Sequence, residues 1–249
     1  MTNKRSLLSK QIKKRPQQTW GQGRPNSPVP WQIWHPFLVL VLALLLSAIP
    51  VAIGASGLSE LSASFLSFFI QDATFFLVPL FIVCAYYKCS PALLGMWRIS
   101  LWQVVRVAIP AGVVLYLLNL AASFIINVLF PGKIAASQDV INLFTLAQNP
   151  LDIIILVIFI CVLAPLAEEM LFRAFLYPPT KRLCGRTWGI ILSGVVFAVI
   201  HMNIWTFLPL LVGGMGFAWL YDRYGSLWIN VVAHTVWNTI VLILYFILG

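Results

Sequence analysis

Charge is what this chain has least of. Of 249 residues only 16 are Lys or Arg and 7 are Asp or Glu, 9% in all, against roughly 25% in soluble domains. So few charges cannot clothe a water-facing surface, and 61% hydrophobic residues with a mean hydropathy of +0.93 exclude the ordinary soluble class. Cysteine is also scarce. Cys84, Cys89, Cys161 and Cys184 suggest no disulfide framework, and the Cys84/Cys89 spacing is not that of a zinc knuckle. Nor is a cleavable leader expected: the apolar run 37–53, interrupted only by Ser47 and Pro50, outlasts the apolar stretch of about 7 to 15 residues in a signal peptide and reads as an uncleaved anchor.

What is present points to lipid. The net charge of +9 would suit a polyanionic partner, but seven of the 16 basic residues (Lys4, Arg5, Lys10, Lys13, Lys14, Arg15, Arg24) precede the first apolar run. They form a tail beside a hydrophobic segment, which is a topology signal first and an anchor for anionic lipid second; nucleic acid is not an expected partner. Residues 1–30 are polar and rich in Pro, Gly, Gln and Asn, and are expected to be a disordered basic cytosolic arm. Because about 20 apolar residues cross a ~30 Å hydrocarbon core, spans are expected near 34–56, 64–87, 104–129, 151–177, 187–203, 205–222 and 226–248. The expected fold is therefore an all-α polytopic transmembrane helical bundle of about seven spans. In the 205–222 segment, Pro209 and the Gly213, Gly214, Gly216 cluster favour a short, broken or closely packed helix.

Lys88, Arg98, Arg106, Lys181, Arg182, Arg186 and Arg223 fall on the side of the N-terminal arm under this count, while the opposite loops hold Lys133 with Glu60, Asp139 and Asp152. Basic residues mark the cytosolic side. The N-terminus is then cytosolic and the C-terminus external, in a multi-pass protein expected in a bacterial plasma membrane. No repeat relates the two halves, and before residue 151 only Asp72 is an embedded ionisable group.

Three constellations lie in otherwise apolar helices: Glu168, Glu169 and Arg173 in A-E-E-M-L-F-R, Phe197 and His201 in F-A-V-I-H, and His234 and Asn238 in H-T-V-W-N. A charge at mid-bilayer costs about 2.5 to 3.5 kcal/mol even on lenient scales, so each is a functional candidate. At ~1.5 Å per residue from the nearest cytosolic helix end, Glu168, His201 and His234 lie roughly 14, 21 and 12 Å deep, so three helices bring them to one layer. Glu169 and Arg173 are four apart with the acid first, the favourable order for a pair. That leaves Glu168, about 100° around the helix, free to meet His201 and activate a water molecule. His234 and Asn238 share a face and suit an oxyanion site. The bland alternative is that buried Asn, His and Glu/Arg pairs glue helices together; so many embedded polar groups on three helices at converging depth favour function. Phe197 reads as packing in support of the site.

The ordered motifs E-E-x-x-x-R, F-x-x-x-H and H-x-x-x-N, within about 71 residues of a polytopic chain, resemble the CAAX protease and bacteriocin-processing (CPBP) family of type II prenyl endopeptidases. The resemblance covers about residues 140–249, with 31–139 as a set of N-terminal transmembrane helices that carry none of its motifs. It implies peptide-bond hydrolysis in the membrane, with Glu168 and His201 activating water and His234 and Asn238 stabilising the tetrahedral oxyanion, acting on a membrane-associated peptide or protein. Glu169, Arg173 and Phe197 would support that site. Prenylated substrates are not implied, because substrate choice in the family is diverse. Other readings remain open at this point: a zinc enzyme using Glu168, His201 and His234 as ligands, a non-catalytic scaffold or bacteriocin-immunity protein, and a proton-coupled transporter. The absence of an H-E-x-x-H helix and the presence of Asn238 rank metal behind the glutamate-activated water, so no cofactor is expected to be required.

Overall fold

The computed structural model describes residues 29–53, 57, 59–131 and 143–248. Residues 1–28 of the basic arm, and Lys133 and Asp139 of the expected external loops, lie outside the described residues. Among the described residues all regular structure is helical. Six helices are long and apolar enough to cross a membrane: α1 (Trp34–Ile53), α2 (Glu60–Tyr86), α3 (Leu101–Leu129), α4 (Pro150–Val199), α5 (Ile204–Tyr224) and α6 (Leu227–Leu248). The protein is an integral membrane helical bundle.

Polar caps set where these apolar runs begin. Ser59 opens α2 by accepting from the Ser62 N–H, and Ser100 and Gln103 form a reciprocal capping box at α3. Asn149 accepts from the Asp152 N–H at the start of α4, and Asn203 accepts from the Trp205 N–H at the start of α5. Each cap satisfies a backbone donor that the first helical turn leaves without a partner.

Two of the expected spans, 151–177 and 187–203, prove to be arms of α4. Fifty continuous helical residues would measure ~75 Å if straight, but the chain reverses at Gly185, whose φ of 78° suits a residue without a Cβ. Ser193 Oγ donates to the Phe172 carbonyl across the two arms, and Gly189 packs against the Lys181 backbone. The second arm stops at Val199 because Met202 adopts φ 49° and Asn203 starts the next helix. That arm, residues 186–199, is only ~21 Å long, so the loop 200–203 ends it at membrane depth. Irregular backbone at that level is tolerated where it lines a protein cavity, and residues 200–203 do so.

The expected 205–222 segment is one unbroken helix, α5, with Pro209 inside it. Of the three possibilities its glycines allowed, close packing is the one realised: a Cβ on Gly214 would lie 2.9 Å from the Gly194 Cα and 3.1 Å from Phe197. The approach lets α5 sit between the second arm of α4 and α3, with α6 alongside. About 44% of the apolar stretch is buried in α5 and in α6 but 17% in α3, so α3 presents the outer, lipid-facing surface.

One end of the bundle is tied by polar contacts. Arg182 donates to the carbonyls of Val29 and Trp31. Asp222 accepts from Tyr177, Lys181 and Arg186, and the Leu227 N–H donates to the Gly95 carbonyl. The start of α1, the α2–α3 connection, the Gly185 turn and the α5–α6 turn therefore share one end. The C-terminal end of α6 lies at the other.

Candidate active site

Two wide π-helical segments, Phe159–Leu163 and Met170–Leu176, flank Ala164–Glu169 in α4. Such segments re-aim side chains and re-pair backbone carbonyls. Side chains from elsewhere serve several of these carbonyls: Asn238 Nδ2 donates to Ile160 O at 2.8 Å, Trp31 Nε1 to Phe175 O at 2.8 Å and Ser193 Oγ to Phe172 O at 3.2 Å. The segment bearing the two glutamates is thus fastened on both sides.

Glu169 is completely buried and fully engaged. Its Oε1 accepts from Arg173 Nη1 at 2.9 Å and from His234 Nδ1 at 2.9 Å, while Oε2 accepts from Asn230 Nδ2 at 3.0 Å. Arg173, also fully buried, donates to Gly214 O at 3.3 Å and lies against the rings of Phe197 and Phe217, with its Cζ 4.4 and 5.1 Å from their centroids. The i,i+4 pair expected from spacing is present. A buried charge needs such compensation, since removing one partner leaves the other exposed to the full desolvation cost.

Glu168 behaves differently. Its side chain is 18% exposed, against 0% for Glu169, and it faces a cavity of about 250 Å³. His201, His234 and Asn238 line the same cavity, so the four residues expected to form one site do come together. The pairing within it differs from expectation. The histidine within 4 Å of Glu168 is His234, with Nε2 3.7 Å from Oε2, and no Glu168–His201 hydrogen bond is present among the described residues. His234 is thus held between two carboxylates, Glu169 at Nδ1 and Glu168 at Nε2, with its ring stacked on Phe217 at 4.7 Å. His201 Nδ1 lies 2.8 Å from Phe197 O. A carbonyl only accepts, so Nδ1 carries the hydrogen and Nε2 is the free acceptor.

Among the described residues no group of three or more His, Cys, Asp or Glu side chains is placed to hold a metal ion. Two residues escaped the sequence reading. Asn230, fully buried, bridges Glu169 and the Phe217 carbonyl at 2.8 Å; it lies four residues before His234, so the spacing N-x-x-x-H was a usable signal. Phe217 had none, because an aromatic residue in an apolar helix looks like any other core residue.

Fold and site together define a class: a polytopic helical membrane protein with a carboxylate, two histidines and an asparagine around a buried cavity in its C-terminal part. Residues 150–240 match the family model of type II CAAX prenyl endopeptidase Rce1-like proteins. The match covers all three motifs, and this segment is similar to that family. Relatives are distant. The chain is 28% identical over 101 residues to the putative membrane peptidase YdiL of Bacillus subtilis (strain 168), covering 39% of this chain and 41% of that protein. It is 23% identical over 144 residues to the UPF0177 protein YxdF of Lactococcus lactis subsp. lactis (strain IL1403), covering 55% of this chain and 76% of that protein. No solved structure matches.

Proposed function

We propose that this protein is an intramembrane endopeptidase that hydrolyses a peptide bond with a water molecule activated by Glu168. The observation that carries the reading is the convergence of Glu168, His201, His234 and Asn238 on one cavity, with Glu169 withdrawn into a buried lock behind it. The Rce1-like match and the membrane-peptidase name of one relative support the reaction class.

In this mechanism the water lies between Glu168 and the free Nε2 of His201. Glu168 takes one proton, His201 accepts a hydrogen bond from the other, and the oxygen attacks the peptide carbonyl carbon. The oxyanion receives hydrogen bonds from the second N–H of Asn238, whose first N–H is tethered to Ile160 O, and from His234 through Nε2, which must carry a hydrogen in addition to the one that Nδ1 gives to Glu169. Collapse breaks the C–N bond, and Glu168 returns its proton to the leaving amine. Glu169 and Asn230 act as positioning residues: Glu169 fixes His234 through Nδ1, and Asn230 fixes Glu169. No metal takes part in these steps.

The shared polar end holds Lys181, Arg182 and Arg186, and we assign that end to the cytosol by the positive-inside rule. The plasma membrane of a bacterium is the proposed location. The substrate is a membrane-associated peptide or protein. Comparing the membrane peptides of cells producing the parent protein with those of cells producing Glu168→Gln tests the reading. Fragments present only with the parent are the expected result, and identical peptide sets would overturn it.

A further inference from the structure

Asp72 stands midway along α2, a helix outside the Rce1-like segment, and lines the same cavity as Glu168. It is only 7% exposed, and its Oδ2 has no hydrogen-bond partner. The neighbouring buried Thr74 is satisfied by Ile70 O at 2.7 Å, so α2 does not generally leave its polar groups unmade. A buried carboxyl without a partner is costly, and a residue serving only packing would be apolar. The cavity wall holds two carboxyl groups, Asp72 and Glu168, and no lysine or arginine. The nearby Arg173 is committed to Glu169 and the Gly214 carbonyl. The cavity thus holds an unpartnered carboxyl oxygen and no lysine or arginine to meet it. Phe68, Phe159, Leu210 and Trp237 supply apolar wall around them.

We propose that Asp72 is a specificity-determining residue of this cavity, accepting the side-chain ammonium or guanidinium of a lysine or arginine next to the scissile bond. The apolar wall suits the methylene stem of such a side chain while the carboxylate takes its charged head. This assignment rests on the peptide-hydrolysis reading above, and it names the substrate class: hydrophobic peptides with a basic residue beside the cut.

The test uses the full chain in proteoliposomes with a mixture of hydrophobic peptides randomised at interior positions, the products being read by mass spectrometry. For the parent, Lys and Arg are enriched about tenfold beside the cut, as expected of a charge-assisted hydrogen bond. Asp72→Asn, which keeps shape and volume, still cuts but without the enrichment. Asp72→Ser behaves alike and guards against an effect peculiar to the amide. In parallel, detergent-solubilised parent, Asp72→Asn and Asp72→Ser proteins are compared for retention of basic and neutral peptides from the same mixture. Cleavage by the parent without basic enrichment overturns the assignment and leaves hydrolysis standing. Enrichment that persists in both variants, or an equal loss of kcat on all peptides, also overturns it. Asp72-dependent retention of basic peptides without any cleavage keeps the assignment and removes the hydrolysis.

Discussion

Two adjacent carboxylates with opposite surroundings are the sharpest feature at the scale of single residues. Glu169→Gln removes the charge that Arg173 and His234 both face, and breaking a buried pair typically costs about 3 to 5 kcal/mol. Folded yield and thermal stability should both fall. Glu168→Gln keeps shape at a cavity wall and leaves the buried Glu169–Arg173 pair intact, so stability should stay near the parent while cleavage is abolished. Thermal unfolding in detergent together with cleavage of one parent substrate separates the two. Cleavage by Glu168→Gln at the parent rate would remove Glu168 as the base. Asn230→Leu strips donors from Glu169 Oε2 and the Phe217 carbonyl and should cost about 1 to 3 kcal/mol. It should also lower activity, since His234 then loses a firm support. Unchanged activity in a folded Asn230→Leu protein would show that His234 needs no such chain. The glutamate pair with Arg173 was legible because i,i+4 spacing is a property of one helix. The choice of His234 rather than His201 as the neighbour of Glu168 was not, because it depends on how three helices are rotated about their axes.

Close approach governs at the scale of elements. Gly214 and Gly194 face each other, and Gly214 also faces Phe197, so a methyl group there meets backbone, which cannot swing aside. Gly214→Ala should separate α5 from the second arm of α4 and cost about 1 to 3 kcal/mol. Because Phe197 covers Arg173 and carries the carbonyl that holds His201, activity should drop with stability. A thermal unfolding midpoint equal to that of the parent would mean the helices are not in such contact. The glycine cluster was visible in the sequence as three possible outcomes. Only the partner surface on α4 selects among them.

For the whole molecule, alternation of the helices places the start of α1 and the end of α6 at opposite ends. Protease treatment of intact cells should remove a C-terminal tag and spare an N-terminal one, given a cytosolic basic end. The reverse pattern would invert the assignment, and shielding of both tags would contradict the alternation itself. Activity should also survive chelation of divalent metals, since the proposed steps use Glu168 and His201 alone to activate water. Cleavage lost to chelator and restored by zinc, with stoichiometric metal in the purified protein, would establish a metalloenzyme instead.

Composition and periodicity by themselves determined that this is a helical membrane protein, because burying so many apolar residues is possible only in lipid and a spanning backbone must satisfy its own hydrogen bonds. They also singled out Glu168, His201, His234 and Asn238, which line one cavity, since each embedded polar group stands out against its cost. Tertiary structure alone decided the rest. It folded two expected spans into arms around Gly185, placed Asn230 and Phe217 behind the site, and brought Asp72 from α2 to the cavity of α4 and α6. Asn230 and Glu169, for example, are 61 positions apart, and helical spacing carries no information beyond a single helix.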